Sequence, residues 1–199
     1  MPDSILPLAI FAAISTLSPG GATTLATASG AQFGFRRSVP LLAGIAVGLA
    51  TLAAAAAAGL ASLMLAAPSL QIGMKLGGSA YLIWLAWKIG SSGPPAPKSD
   101  LAQPTRFRGG TLLLLLNPKS WAMALGAAAS FAMLASGPLH LALLLGTAFG
   151  LAASLSLSLW CAAGLLLARL LTRPWQWRLV NSVLGLLLAA LIIPMWLEA

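Results

Sequence analysis

The chain has 199 residues, of which 59% are apolar and 7% charged, with 11 Lys/Arg against 3 Asp/Glu. Since an ordinary soluble domain is about 25% charged, this composition excludes a cytosolic enzyme and a nucleic-acid-binding domain and places the chain in a bilayer. The single cysteine, Cys161, excludes an internal disulfide, a Cys-rich metal site and a paired-thiol redox mechanism.

A membrane-spanning helix needs roughly 20 mainly apolar residues, and there is room for six such blocks. Residues 5–29 form the first, interrupted at Ser18-Pro19-Gly20-Gly21. Residues 39–67 form the second, rich in alanine and carrying Gly44, Gly48 and Gly59, and residues 72–89 the third, ending in Tyr81, Trp84, Trp87 and Lys88. Residues 91–108 then hold four prolines (Pro94, Pro95, Pro97, Pro104) among charges and cannot bury enough apolar surface to order by themselves, so they read as the one linker. A fourth block covers 109–134, broken at Asn117-Pro118-Lys119, a fifth 139–167 and a sixth 179–197. Helices are the default for all six, because unpaired backbone groups in lipid cost several kcal/mol each. The alternation of a barrel strand is absent.

Lysines and arginines set the orientation. Arg36 and Arg37 follow the first span, Lys88, Lys98, Arg106 and Arg108 the third, and Arg169, Arg173 and Arg178 the fifth. Loops 66–71 and 135–140 hold none, so all nine loop cations fall on one face. That face is assigned to the cytoplasm, with both termini outside, and its cations to anionic lipid headgroups rather than nucleic acid. No Lys or Arg precedes the first apolar run, which opens after Asp3, so this span is expected to be retained and not cleaved as a signal peptide.

An internal repeat underlies the pattern. Leu17-Ser18-Pro19 returns 99 residues later as Leu116-Asn117-Pro118, Gly44 to Ala50 returns 102 residues later as Gly146 to Ala152, and Lys75-Leu76 returns after 103 as Arg178-Leu179. The expected organisation is a single transmembrane domain over 1–199, with repeats at 1–90 and 109–199 joined by a cytoplasmic linker at 91–108. Three spans per half force the second copy to enter the membrane inverted. The expected fold is therefore an all-α membrane protein of six transmembrane helices, built as two inverted three-helix repeats with broken first and fourth helices.

The breaks are the sharpest features. Proline removes a backbone donor and clashes with the preceding turn, and glycine loosens the helix further. Unwound chain at that depth is tolerable only where it faces protein or a wet cavity, and there its amides and carbonyls form a binding site for a carboxylate and an ammonium. Lys119 points the same way, because an intramembrane lysine costs at least about 2.5 to 3.5 kcal/mol unless it faces a partner or a cavity. No Asp or Glu lies in any span: Asp3 and Glu198 are terminal and Asp100 is in the linker. A cationic side chain on the substrate has no partner, so the handle is a negative group, as in a neutral amino acid.

The remaining signals have structural readings. Gly44-xxx-Gly48 and Gly146-xxx-Gly150 bring helices of the bundle close together. Trp84, Trp87, Trp175, Trp177 and Trp196 are interfacial anchors, Lys75 reaches the outer headgroups, and His140, the only histidine, is an interfacial or capping residue.

Ser18-Pro19-Gly20, the run from Ala28 to Arg36, Gly44 to Gly48, Ala80-Tyr81-Leu82 with Trp84-Leu85 and Trp87-Lys88, and Leu116-Asn117-Pro118-Lys119 together resemble the LysE-type amino-acid exporters, the lysine and homoserine/threonine exporter group. The resemblance spans nearly the whole chain. It implies a bacterial inner-membrane exporter of amino acids or related small metabolites driven by the proton-motive force. The family pattern continues Ser-Pro-Gly with Pro-Asn, whereas Gly21-Ala22 follow here, without the amide side chain.

The expected function is thus secondary transport by alternating access. The expected substrate-binding residues are Ser18, Pro19, Gly20, Gly21, Asn117, Pro118 and Lys119. Ser18 and the amides of Gly20 and Gly21 contact the substrate, Lys119 pairs with its carboxylate, and Asn117 hydrogen-bonds to it. No catalytic residue, metal or cofactor is expected. A serine hydrolase within the membrane would need a base near a serine, and His140 is peripheral. Expected partners are the small-molecule substrate and membrane lipids, not nucleic acid, with a homo-oligomer left open. The alternative is a passive channel or membrane-assembly partner without coupled transport.

Overall fold

A computed structural model describes residues 2–60, 68–91, 105–190 and 192–197. Most of the expected linker, with Lys98 and Asp100, lies outside the described residues, as do the side chains of Asp3, Lys75, Tyr81, Pro118 and Glu198. Every regular element among the described residues is helical. In chain order these are α1 (Pro2–Leu17), α2 (Gly21–Ala55, followed by a single π turn at Ala56–Leu60), α3 (Pro68–Gly90), α4 (Phe107–Leu115), α5 (Pro118–Ser130), α6 (Pro138–Leu170), α7 (Pro174–Ala190) and α8 (Ile192–Leu197).

Gly21–Gly59 and Pro138–Leu170 are each long and apolar enough to cross a membrane, and α4 with α5 makes a third such stretch, bent by 67° at its break. The first of these is not straight. At Gly34 the backbone has φ 77° and ψ 170°, inside an otherwise helical run. Residues nine apart on a straight helix are about 13 Å apart, yet Ser29 and Ser38 meet hydroxyl to hydroxyl at 2.7 Å. The chain therefore folds back at Gly34, and α2 is a helical hairpin whose arms are residues 21–33 and 35–55. The expected apolar blocks end at 29 and resume at 39, with Arg36 and Arg37 between them; the connection is a turn at one glycine, whose positive φ lets the chain reverse without a longer loop. Ser38 also donates to the Gly34 carbonyl at 2.8 Å, closing the turn.

The second arm of α2 packs on α4 where glycines remove the side chains between them: a Cβ on Gly44 would overlap the Phe107 carbonyl, and one on Gly110 would stand 2.6 Å from the Leu41 carbonyl. Thr111 donates across this contact to the Gly44 carbonyl at 3.1 Å. The first arm meets α6 in the same manner, Gly30 against the Cys161 carbonyl and Gly164 against that of Thr27. Gly146 and Gly150 face Ala50 and Ala54. All the glycine pairs named for close approach thus act inside the bundle.

α1 lies on α6, with Phe11 edge-on to Phe149 (centroids 6.2 Å apart) and to Phe131 (5.7 Å). α3 pairs with α7, where a Cβ on Gly185 would stand 2.7 Å from the Ala86 carbonyl. Around this core α6 exposes Leu143, Leu151, Leu155, Leu159, Leu166 and Leu170 on its outer face. Such a stripe is stable only against lipid or another apolar surface.

Trp84, Trp87, Trp175 and Trp196 are exposed, as an interfacial role requires. Trp177 differs: it is 5% exposed, and its indole N–H reaches back to the Leu171 carbonyl at 3.1 Å. Trp121 makes the same six-residue return to Leu115 at 2.8 Å. Each indole follows a helix-starting proline by three residues (Pro118, Pro174) and satisfies a carbonyl at the end of the preceding helix.

Candidate functional site

Both breaks are present and they meet. α1 stops at Leu17 and α2 starts at Gly21, α4 stops at Leu115 and α5 starts at Pro118, and Lys119, in the first turn of α5, extends into the first break. Its ammonium donates to the Ser18 hydroxyl at 2.6 Å, the Ser18 carbonyl at 3.0 Å and the Pro19 carbonyl at 3.3 Å. An ammonium has three donors, so its full capacity is spent on residues about a hundred positions away in sequence. The location suits a cation, since the C-terminal end of α1 carries the negative end of that helix dipole.

The carbonyls at the end of α1 can be followed one by one. Ile14 O accepts from the Ser18 amide at 3.0 Å and Ser15 O from the Ser18 hydroxyl at 2.9 Å. Thr16 O accepts from Ser156 at 2.7 Å and Leu17 O from the Trp160 indole at 3.2 Å. Lys119 serves Ser18 and Pro19. Four consecutive carbonyls of the first break thus depend on side chains of the second half of the chain. Ser156 and Trp160, one turn apart on one face of α6, were not singled out by sequence. Their signal was a serine and an indole four apart in an apolar helix.

Gly20 is buried and extended (φ −175°, ψ −177°), a conformation open to any residue. It is small for another reason: a Cβ there would sit 3.2 Å from the Lys119 Nζ and 3.4 Å from its Cδ. At the offset of 99 that aligns the two breaks, Gly20 falls opposite Lys119 itself. One break supplies the cation and the other the bare backbone that receives it. The Gly20 amide donates to Thr23 Oγ1 at 2.8 Å, and that hydroxyl donates to the Gly20 carbonyl at 2.9 Å. Sequence reasoning assigned this amide to substrate; the structure engages it locally, because a hydroxyl three residues into a helix naturally closes its start.

Asn117 is 8% exposed and caps α5, its side-chain oxygen accepting from the Lys119 amide at 3.1 Å. Pro118 occupies the start of that helix, where its missing N–H costs nothing. Ser18, Gly20, Gly21, Asn117 and Lys119 line one cavity of about 40 Å³, together with Ser15, Thr16, Thr23 and Ser120 and an apolar wall that includes Ile45, Leu49, Leu114 and Leu157. Helices from both halves contribute. No acidic side chain lines it, and no cluster of metal-ligating side chains occurs among the described residues. His140 stands apart, exposed in the first turn of α6.

The family model of the LysE type translocator matches residues 13–195, almost the whole chain and both breaks. The chain belongs to this family. Among the relatives of this translocator are proteins named cysteine/O-acetylserine efflux protein. That of Escherichia coli (strain K12) is 30% identical over 176 residues, covering 88% of each chain, and that of Salmonella typhimurium (strain LT2) is 29% identical over 175 residues with the same coverage. No solved structure matches with significance. The translocator is a multi-pass membrane protein by family and by its apolar helices.

Proposed function

We propose that this translocator exports neutral amino acids or closely related metabolites across the bacterial inner membrane, holding the substrate between the two breaks by its carboxylate on Lys119. One observation carries the reading. A lone ammonium, with no acidic side chain lining its cavity, projects from one interrupted helix onto another. Such a site favours a net negative or zwitterionic guest and rejects an added cation. The names of the relatives make cysteine and O-acetylserine the first substrates to try.

The mechanism is alternating access in six spans. Residues 1–90 and 109–199 act as inverted repeats of a single transmembrane domain, with 91–108 as a cytoplasmic linker and both termini periplasmic. The packing supports this: α1 lies on α6 around Phe11 and Phe149 as α4 lies on the second arm of α2 around Gly110 and Ile45; the offset of 99 relates Phe11 to Gly110, and that of 102 relates residues 44–50 of α2 to residues 146–152 of α6. The orientation is supported by the cations that flank Gly34, the end of α3, the start of α4 and the end of α6. Close contacts of Gly30 with Cys161 and of Gly164 with Thr27 set the Gly34 turn beside the end of α6. Basic residues there meet anionic headgroups, and the proton-motive force drives transport. Ser18 contacts the substrate, and Asn117 and Pro118 fix the helix that presents Lys119.

Overexpression with measurement of extracellular amino acids tests the proposal. The wild-type protein raises neutral amino acids in the medium, an uncoupler abolishes the rise, and Lys119→Ala loses it. Flow that persists with the uncoupler would indicate a passive channel, and an unchanged profile in Lys119→Ala would remove Lys119 from the site.

A further inference from the structure

The cavity of about 40 Å³ holds roughly three water molecules. A free amino acid, with carboxylate, ammonium and side chain, is larger. In the same arrangement every Lys119 donor is already taken by Ser18 and Pro19. Substrate therefore cannot simply be added to this geometry, and two things must change: the two breaks must part, and Lys119 must be released from its acceptors.

From this geometry we infer that the contact of Lys119 with Ser18 and Pro19 is a latch that the substrate opens by exchange. The inference rests on the proposed pairing of Lys119 with the substrate carboxylate. When the carboxylate takes the Lys119 ammonium, the Ser18 and Pro19 carbonyls lose their donor. The Ser18 carbonyl is partly buried and costly to leave without a partner, that of Pro19 is more open, and the substrate's own α-ammonium is the group of the right charge and donor number to replace the lysine at both. Both halves of the zwitterion are then needed in one molecule. A carboxylate alone would strand the carbonyls, and an ammonium alone would compete with a lysine already in place.

The rest of the break agrees with this division. Thr16 and Leu17, two residues and one residue before Ser18, have carbonyls tied to Ser156 and Trp160, neutral donors on a helix. Only Ser18 and Pro19 are served by a flexible cation, and only they line up with a glycine, Gly20, that leaves the ammonium room. The exchangeable part of α1's end is therefore two carbonyls and one hydroxyl. Selectivity for α-amino acids over simple acids or amines comes from the exchange and not from the shape of the cavity.

Binding of three labelled probes to the purified full-length protein tests this: L-cysteine, 3-mercaptopropionate (which lacks the ammonium) and cysteamine (which lacks the carboxylate). L-cysteine should bind wild-type protein at least about ten-fold more tightly than either fragment, the size expected of one charge-assisted hydrogen-bond set. In Lys119→Met, which frees the carbonyls without leaving a gap, cysteamine should bind about five-fold or more better than to wild type, while 3-mercaptopropionate binding disappears. If 3-mercaptopropionate matches L-cysteine on wild type, the latch is overturned while the Lys119–carboxylate pairing stands. If Lys119→Met changes none of the three, the site itself falls. The wild-type comparison needs no variant, so a poorly folding mutant would not spare the proposal.

Discussion

The two breaks stand 99 residues apart in matching sequence contexts and differ in how their freed backbone is satisfied. At the second, the chain looks after itself: Trp121 closes the Leu115 carbonyl, Asn117 caps α5, and the Ser120 amide returns to the Asn117 carbonyl at 3.0 Å. At the first, the carbonyls from Thr16 to Pro19 rely on Ser156, Trp160 and Lys119 from the other half. A break that closes on itself is a rigid platform. One that borrows its donors changes state whenever the donors move away. In the proposed mechanism the second break is the part that presents the lysine and the first the part that responds.

Substitutions can break or sharpen that contrast. Lys119→Ala removes the shared cation and strands two carbonyls, and export should fall by about a hundred-fold, read as extracellular amino acid per unit of membrane protein. Gly34→Val lies away from both breaks at a positive φ. It should destabilise the fold by about 1–3 kcal/mol in thermal melting while leaving the ranking of exported substrates unchanged. Gly20→Val keeps an allowed backbone but crowds the Lys119 side chain, so export should drop by about ten-fold at an unchanged melting temperature. The finest comparison sets Ser156→Ala against Trp121→Phe. Each removes one donor worth about 1 kcal/mol, yet only Ser156→Ala, acting between halves, should alter the transport rate beyond its effect on the amount of folded protein.

Much of this was legible in the residues and some was not. Proline beside glycine at residues 19–21 and Asn-Pro at 117–118 announced helix ends, because their backbone chemistry is local. That the ends touch was not announced, since proximity across about a hundred residues is set by how α1, α2 and α6 pack. The reversal near Gly34 was legible in outline and not in detail: Arg36 and Arg37 mark a boundary between the apolar blocks ending at 29 and starting at 39, but not that a single glycine makes the turn. Trp177 was assigned to the membrane interface from its place near a span end, whereas a proline three residues before it marked an indole that folds back to close the preceding helix. Gly20 carried a double meaning. As a helix breaker it was visible, but its role in making room for Lys119 depends on a partner that the local sequence does not contain.

The central claim is the direct contact between Lys119 and the unwound end of α1, and dipolar-recoupling NMR in bilayers measures it. Protein with ¹⁵N at the lysine side chains and ¹³C at the serine and proline carbonyls should show one lysine nitrogen dephased by carbons about 4 Å away, as the Nζ-to-oxygen contacts of 3.0 and 3.3 Å require, and that signal should vanish in Lys119→Arg. Lysine nitrogens without any dephasing would contradict the account, because the two interrupted helices would then not be joined by this residue.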